Sequence, residues 1–243
     1  VLIPSDLVLD GGKQARVVER SVIVPACSVA EIAVRCVEQG RWSPRDAVTA
    51  GTFHVAASAS TRSREHLMRL KQRALQAQKR FELDQGEVWN HVASELRRTQ
   101  ALSTTQSYTA FLSVRAARLA EARRLDIQPP PCANGLAVVR ANGAVWLEAF
   151  PSREAMGSLV EAVVADVLEE ANGAVVAPSA AAKDPRARAD AAMRAVGASA
   201  LTELPPAPAT LGTSYALDDA GVAGAVLLHA GRVAHLVATV RRH

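Results

Sequence analysis

The sequence predicts an α+β fold, with mixed or antiparallel sheets from the N- and C-terminal halves packed with a helical middle. Three observations carry that prediction. β-Branched residues alternate through the first forty positions, the apolar period changes to 3.6 near residue 61, and a hairpin signal opens the second half. The blocks run strands, helices, hairpin, helices, hairpin, which is not the regular alternation of a βαβ winding. At 243 residues the chain has ample length for a packed core, and 1–243 reads as one α+β domain. Pro129-Pro130-Pro131 forms a stiff extended spacer that marks possible halves 1–128 and 132–243.

The elements follow in order. Residues 5 to 42 read as strands. Val18, Val22 and Val24 share one face of the run Ala15 to Val24, which Pro25 ends because it cannot donate to a ladder. Ile32, Val34, Cys36 and Glu38 share a face of the next strand, and Gly40 marks its exit. Leu67, Leu70, Ala74, Ala77 and Phe81 trace one side of a helix, with Arg62, Arg69, Arg73 and Arg80 in a tight stripe beside it. A second helix starts at Asp84, where Asp84 and Glu87 match a capping box, and a third starts at Ser103 with Gln106. Leu136 to Arg140 and Ala144 to Phe150 form a hairpin around Asn142-Gly143, read as a type I′ turn. Ser152 caps a helix closed by Asn172-Gly173, and Asp184-Pro185 opens a shorter one ending near Gly197. Pro205 to Gly212 reads as an irregular loop, and Val222 to Leu228 with Val233 to Val240 as a last hairpin turning at Ala230-Gly231.

Composition narrows the classes of function. Aromatic residues make up 4% of the chain, so stacking platforms for single-stranded nucleic acid are not evident. No apolar stretch approaches the ~18 to 20 residues that span a bilayer, and Val1 to Asp6 lacks the layout of a secretory signal. Cys27, Cys36 and Cys132 are odd in number and contain no Cys-x-x-Cys, which argues against a disulfide framework and a zinc site. A cytoplasmic location is expected. The net charge of +4 is uneven: residues 61–124 carry +7 and the remainder −3. A basic helical middle suits an anionic partner, although a solvated helix face is the simpler explanation.

Several stretches resemble one family. Gly12-Lys13-Gln14 and Arg16 lead into Arg20 to Ala26 and then Cys36-Val37-Glu38-Gln39-Gly40-Arg41-Trp42. Gln85-Gly86-Glu87-Val88-Trp89, Ser103-Thr104-Thr105, the stretch Asn142-Gly143 to Phe150-Pro151-Ser152, and Gly224 to His235 come later. Together they are similar to the ADP-ribosylglycohydrolase- and rhodanese-phosphatase-associated protein domain, over nearly the whole chain and most specifically from Arg20 to Trp42. The resemblance implies the neighbourhood of ADP-ribose metabolism and no particular reaction. The chain departs from the family at Ser103-Thr104-Thr105, where the family tends to have Ser-Pro-Thr.

The candidate chemistry centres on the end of the second strand. Glu38 shares a face with aliphatic residues, which suits a desolvated general acid or base, or else a salt bridge to Arg41. Arg41 offers a planar donor fork for phosphate or carboxylate. Trp42 either stacks on a base or packs under the loop, and packing is preferred because a Trp buries ~200 Å². Gln85 sits at a helix N-terminus, where Glu87 is accounted for as a cap. His235 lies on a strand face with Val233 and Val237, as a second catalytic candidate or a satisfied structural group. The remaining histidines show no metal spacing, and there is no Gly-rich phosphate loop or Gly-x-Ser-x-Gly elbow. No cofactor or metal is expected. The favoured reading is a pocket of Glu38, Arg41, Trp42, Gln85 and His235 that binds an anionic nucleotide or ADP-ribose-like ligand, with hydrolysis open to it. The alternative is a non-catalytic protein-interaction module working through Arg62, Arg69, Arg73 and Arg80. A membrane or nucleic-acid partner is not expected.

Overall fold

A computed structural model describes residues 1–43, 51–157, 159–173 and 184–241. The described residues form β1 (Leu2–Ile3), β2 (Leu7–Gly11), β3 (Arg16–Val18), β4 (Val22–Ile23), β5 (Val34–Cys36) and β6 (Phe53–Ser58). Three long helices follow: α1 (Thr61–Gln78), α2 (Gln85–Thr99) and α3 (Tyr108–Arg124). The second half holds β7 (Gly135–Val139), β8 (Val145–Ala149), α4 (Arg153–Met156), α5 (Leu159–Gly173), α6 (Pro185–Ala198), β9 (Leu201–Glu203), β10 (Thr213–Asp219), β11 (Val222–His229) and β12 (Arg232–Val240). The fold is α+β, with every strand pair antiparallel and the long helices between the sheets. No described helix is long and apolar enough to cross a membrane.

A four-stranded sheet, β5-β3-β2-β6, and a two-stranded ribbon, β1-β4, come from the N-terminal third. A six-stranded sheet, β7-β8-β12-β11-β10-β9, comes from the C-terminal half. Alternation along its central strands gives it two buried faces. Val145, Leu147, Ala238 and Val240 pack with Ala192 and Val196 of α6. Trp146 and Val237, on the other face, pack with Met68 of α1. The opposite flank of α1 presents Leu67 and Leu70 to a separate core formed with Val8, Val17, Val88, Val92 and Phe111. The first helix is therefore a shared wall between two apolar cores. At ~3.6 residues per turn, Arg64 and Lys71 fall between those flanks, on the seam, and both are buried.

Several expectations change. The run Ala15 to Val24 is two strands, because buried Glu19 interrupts it: its carboxylate accepts from Leu83 N–H at 2.9 Å and pairs with Arg35 at 3.0 Å. The first helix ends at Gln78, where Lys79 turns left-handed (φ 59°), so Phe81 and Arg80 lie beyond it. The third helix starts four residues late. Gln106 has φ 50°, Tyr108 N–H donates to Val37 O at 2.9 Å, and Ser107 rather than Ser103 is the N-cap. The Asn142-Gly143 turn is not type I′. Gly143 N–H donates to Arg140 O at 2.8 Å, Arg140 N–H to Ala144 O at 2.9 Å, and of the pair Gly143 alone has positive φ. This is a three-residue loop with a G1 bulge. The helix capped by Ser152 breaks at Gly157 (φ 49°) into α4 and α5. The strands β6, β9 and β10 were not expected from the pattern.

Candidate functional site

The Glu38–Arg41 corner lies just past β5. Glu38 Oε2 accepts from Ala15 N–H at 2.9 Å and from Arg41 Nη2 at 2.6 Å, and Oε1 accepts from Thr105 Oγ1 at 2.7 Å. Arg41 Nη1 donates to Gly12 O at 2.8 Å. The backbone closes the same corner: Gly40 N–H donates to Thr105 O at 2.8 Å, and a Cβ at Gly40 would stand 3.1 Å from Thr105 Cα. Glu38 is 1% exposed and Arg41 9%. Burial pushes the Glu38 carboxyl up, and the bonds from Arg41, Ala15 and Thr105 together outweigh it and hold the pKa below the usual carboxylate value. A carboxylate held ionised by three donors is a clasp between the Gly11–Ala15 loop, β5 and the start of α3. It is not poised to carry a proton near neutral pH.

The neighbouring candidates divide. Gln85 turns back on β5, with its Oε1 accepting from Cys36 N–H at 3.1 Å and its Nε2 donating to Cys36 O at 2.7 Å. The side chain thus replaces a missing neighbour strand and anchors α2 to the sheet edge. Trp42 corrects the packed expectation: it is 68% exposed, because the chain has left the sheet after Cys36 and bends away at Gly40.

His235 belongs to a different network. Its Nε2 lies 2.9 Å from Glu148 Oε1, its Nδ1 lies 2.6 Å from Ser21 Oγ, and its ring tilts against Phe150 at 4.7 Å. Glu148 also binds Arg64, and Lys71 Nζ lies 3.1 Å from Asp6 Oδ1. The Ser-His-Glu order has the outline of a hydrolase triad and its hydrogen-bond sequence, hydroxyl to ring to carboxylate, but it lies in the interior. Ser21 Oγ also accepts from Ser5 N–H at 2.9 Å, which ties the hydroxyl into the core. Ser21, His235 and Glu148 are all buried. Glu38 and His235 share no bonding partner and lie in separate clusters, so they do not meet across a sheet.

The arginine stripe borders two clefts. Arg62, Arg69 and Arg73 stand on the side of α1 away from the seam, while Arg80, past the helix end, leaves the stripe. Two adjoining clefts, of about 410 and 390 Å³, share His66 and Arg69 in their walls. The first lies between α1 and the ends of β10, β11 and β12, with Arg69, Arg73 and Arg241 facing Asp219 as its charged lining. Arg73 and Arg241 have no acidic partner among the described residues. Arg69 pairs with Glu65, yet its buried Nε has no hydrogen-bond partner there. The second cleft lies between α1 and α2 and is balanced, with Arg62, Arg69 and Arg140 against Glu65, Glu87 and Glu95. His66 and His91 stack at 4.4 Å in its wall. His91 Nε2 is buried without a partner among the described residues, and burial followed by the charge of His66 lowers the His91 pKa to about 4. No group of three or more His, Cys, Asp or Glu among the described residues could hold a metal ion.

The sequence reading passed over Arg241, Arg140, His66 and His91 as site residues. The first two come from the sheet and join the helix only in three dimensions. His66 and His91 lack metal spacing in the sequence and meet only because α1 and α2 pack together. A model of the ARG and Rhodanese-Phosphatase-superfamily-associated Protein domain matches residues 1–239. No curated protein and no solved structure matches the chain. With the family model spanning almost its whole length, the chain belongs to the ARG and Rhodanese-Phosphatase-superfamily-associated Protein domain family.

Proposed function

We propose that this domain is a binding module for a phosphate-bearing, nucleotide-like anion, held in the cleft between α1 and the end of the six-stranded sheet rather than at Glu38. The observation that carries this reading is the pair Arg73 and Arg241, two cations without acidic partners among the described residues, that line one cleft with Arg69. Guanidinium groups offer planar, fixed donors to phosphate oxygens, and a concave setting strengthens the attraction over that of an open surface. The family's association with ADP-ribosylglycohydrolases makes ADP-ribose the first ligand to try. Hydrolysis is not part of the reading, since Glu38 is held ionised by its partners and Ser21, His235 and Glu148 are buried.

Calorimetry with ADP-ribose and with inorganic pyrophosphate tests the proposal. Saturable binding is expected, weakened at least roughly tenfold in Arg73→Gln/Arg241→Gln and weakened further by salt. Absence of heat at millimolar ligand, or equal affinity in the double variant, would overturn it.

A further inference from the structure

We infer that the ligand is a sugar phosphate, with its phosphate in the arginine cleft and its sugar hydroxyls in the adjoining cleft between α1 and α2. The inference rests on the anion-binding reading above and adds the second half of the ligand. The two clefts differ in chemistry. The first has an excess of cations, whereas the second pairs three arginines with three glutamates and so offers nothing to a net charge.

The second cleft offers a dense set of neutral and balanced hydrogen-bonding groups. Asn90 and Ser94, one turn apart on the exposed side of α2, line it together with Asn142 and the carboxylate of Glu87. Carboxylates accept from hydroxyls, amides both donate and accept, and a polyol supplies both roles at each oxygen. Two further observations point the same way. The His66 ring, stacked on the buried His91 ring with planes 13° apart, is a half-buried aromatic in the cleft wall, of the kind on which the C–H face of a sugar ring rests. His91, which lines the cleft, is 92% buried and its Nε2 has no hydrogen-bond partner among the described residues, a need that a hydroxyl reaching it would satisfy. Because His66 and Arg69 stand in both walls, a ring in one cleft and a phosphate in the other belong to one short molecule.

The test compares ribose 5-phosphate, glycerol 3-phosphate and inorganic phosphate by calorimetry on the 243-residue chain. Ribose 5-phosphate is expected to bind about tenfold tighter than the other two, the worth of one or two well-placed hydrogen bonds. Asn90→Ala/Ser94→Ala, at two exposed positions that the fold does not need, is expected to abolish that preference and leave inorganic phosphate binding unchanged. Equal binding of all three phosphates, or a preference that survives the α2 variant, would overturn the inference while leaving the anion site standing. If no phosphate binds at all, the anion-binding reading fails and this inference fails with it.

Discussion

At the scale of single residues, Glu38 shows how a carboxylate on an apolar strand face is explained by its partners. Desolvating a lone carboxylate costs several kcal/mol, and Ala15, Arg41 and Thr105 supply the compensation. Removing the charge leaves Arg41 only the longer contact to Asp10, at 3.7 Å, so Glu38→Gln is expected to destabilise the protein by ~3 kcal/mol in urea unfolding. A loss under ~1 kcal/mol would mean that the corner is dispensable. His91 sets a pH dependence of opposite origin. Its folded pKa of about 4 lies below the ordinary histidine value of 6.5, so as pH falls from 6.5 the unfolded chain takes up the proton first. Stability should therefore be full above pH 6.5 and fall progressively towards pH 4, by up to about 3 kcal/mol from this group. Burial lowers the His66 pKa too, in the same direction. Urea midpoints at pH 7 and pH 5 should separate in the wild type and draw together in His91→Leu.

At the scale of elements, α1 organises the molecule. Leu67 and Leu70 pack into one core and Met68 into another, while Arg64 and Lys71 run between them to Glu148 and Asp6. Removing one member of a buried ion pair leaves the other uncompensated, at a cost of ~3–5 kcal/mol. Arg64→Met and Glu148→Leu are each expected to cost that much, and the double variant clearly less than the sum, with a coupling of at least ~2 kcal/mol in a double-mutant cycle. Additive losses would show that the pair is not coupled. The seam was legible in principle. Arg64 and Lys71, seven residues apart, share a face with Met68 and Leu75, and two cations on the inward face of a helix demand partners. Other elements were legible outright: Asp84 caps α2 and Asp184 caps α6, as their sequences require. The start of α3 was not, because Ser103 and Ser107 are both chemically fit to cap, and the choice is made by Val37 O holding Tyr108 N–H. The strand β10 was hidden for a similar reason. Its alternation is weak, and its place is fixed by pairing along the whole of β11.

At the scale of the whole molecule, the parts fit into one arrangement in which the seam and the clefts lie on opposite sides of α1. The buried network of Asp6, Ser21, Arg64, Lys71, Glu148 and His235 draws on residues from both sides of the proline spacer. It fixes the inner side of the helix, so the outer side can present Arg69 and Arg73 against Arg241, the residue after the last strand. That juxtaposition could not be read from the chain, since positions 73 and 241 are brought together by the packing of α1 on β11 and β12. What the sequence did offer was the excess of positive charge in residues 61–124, which marks the region of the cleft without its outline. The most direct measurement is a crystal structure of the protein grown with ADP-ribose. The account requires phosphate oxygens between the guanidinium groups of Arg73 and Arg241, with the Glu38–Arg41 pair intact and untouched. Ligand bound instead against Glu38 and Arg41, with that pair opened, would contradict it.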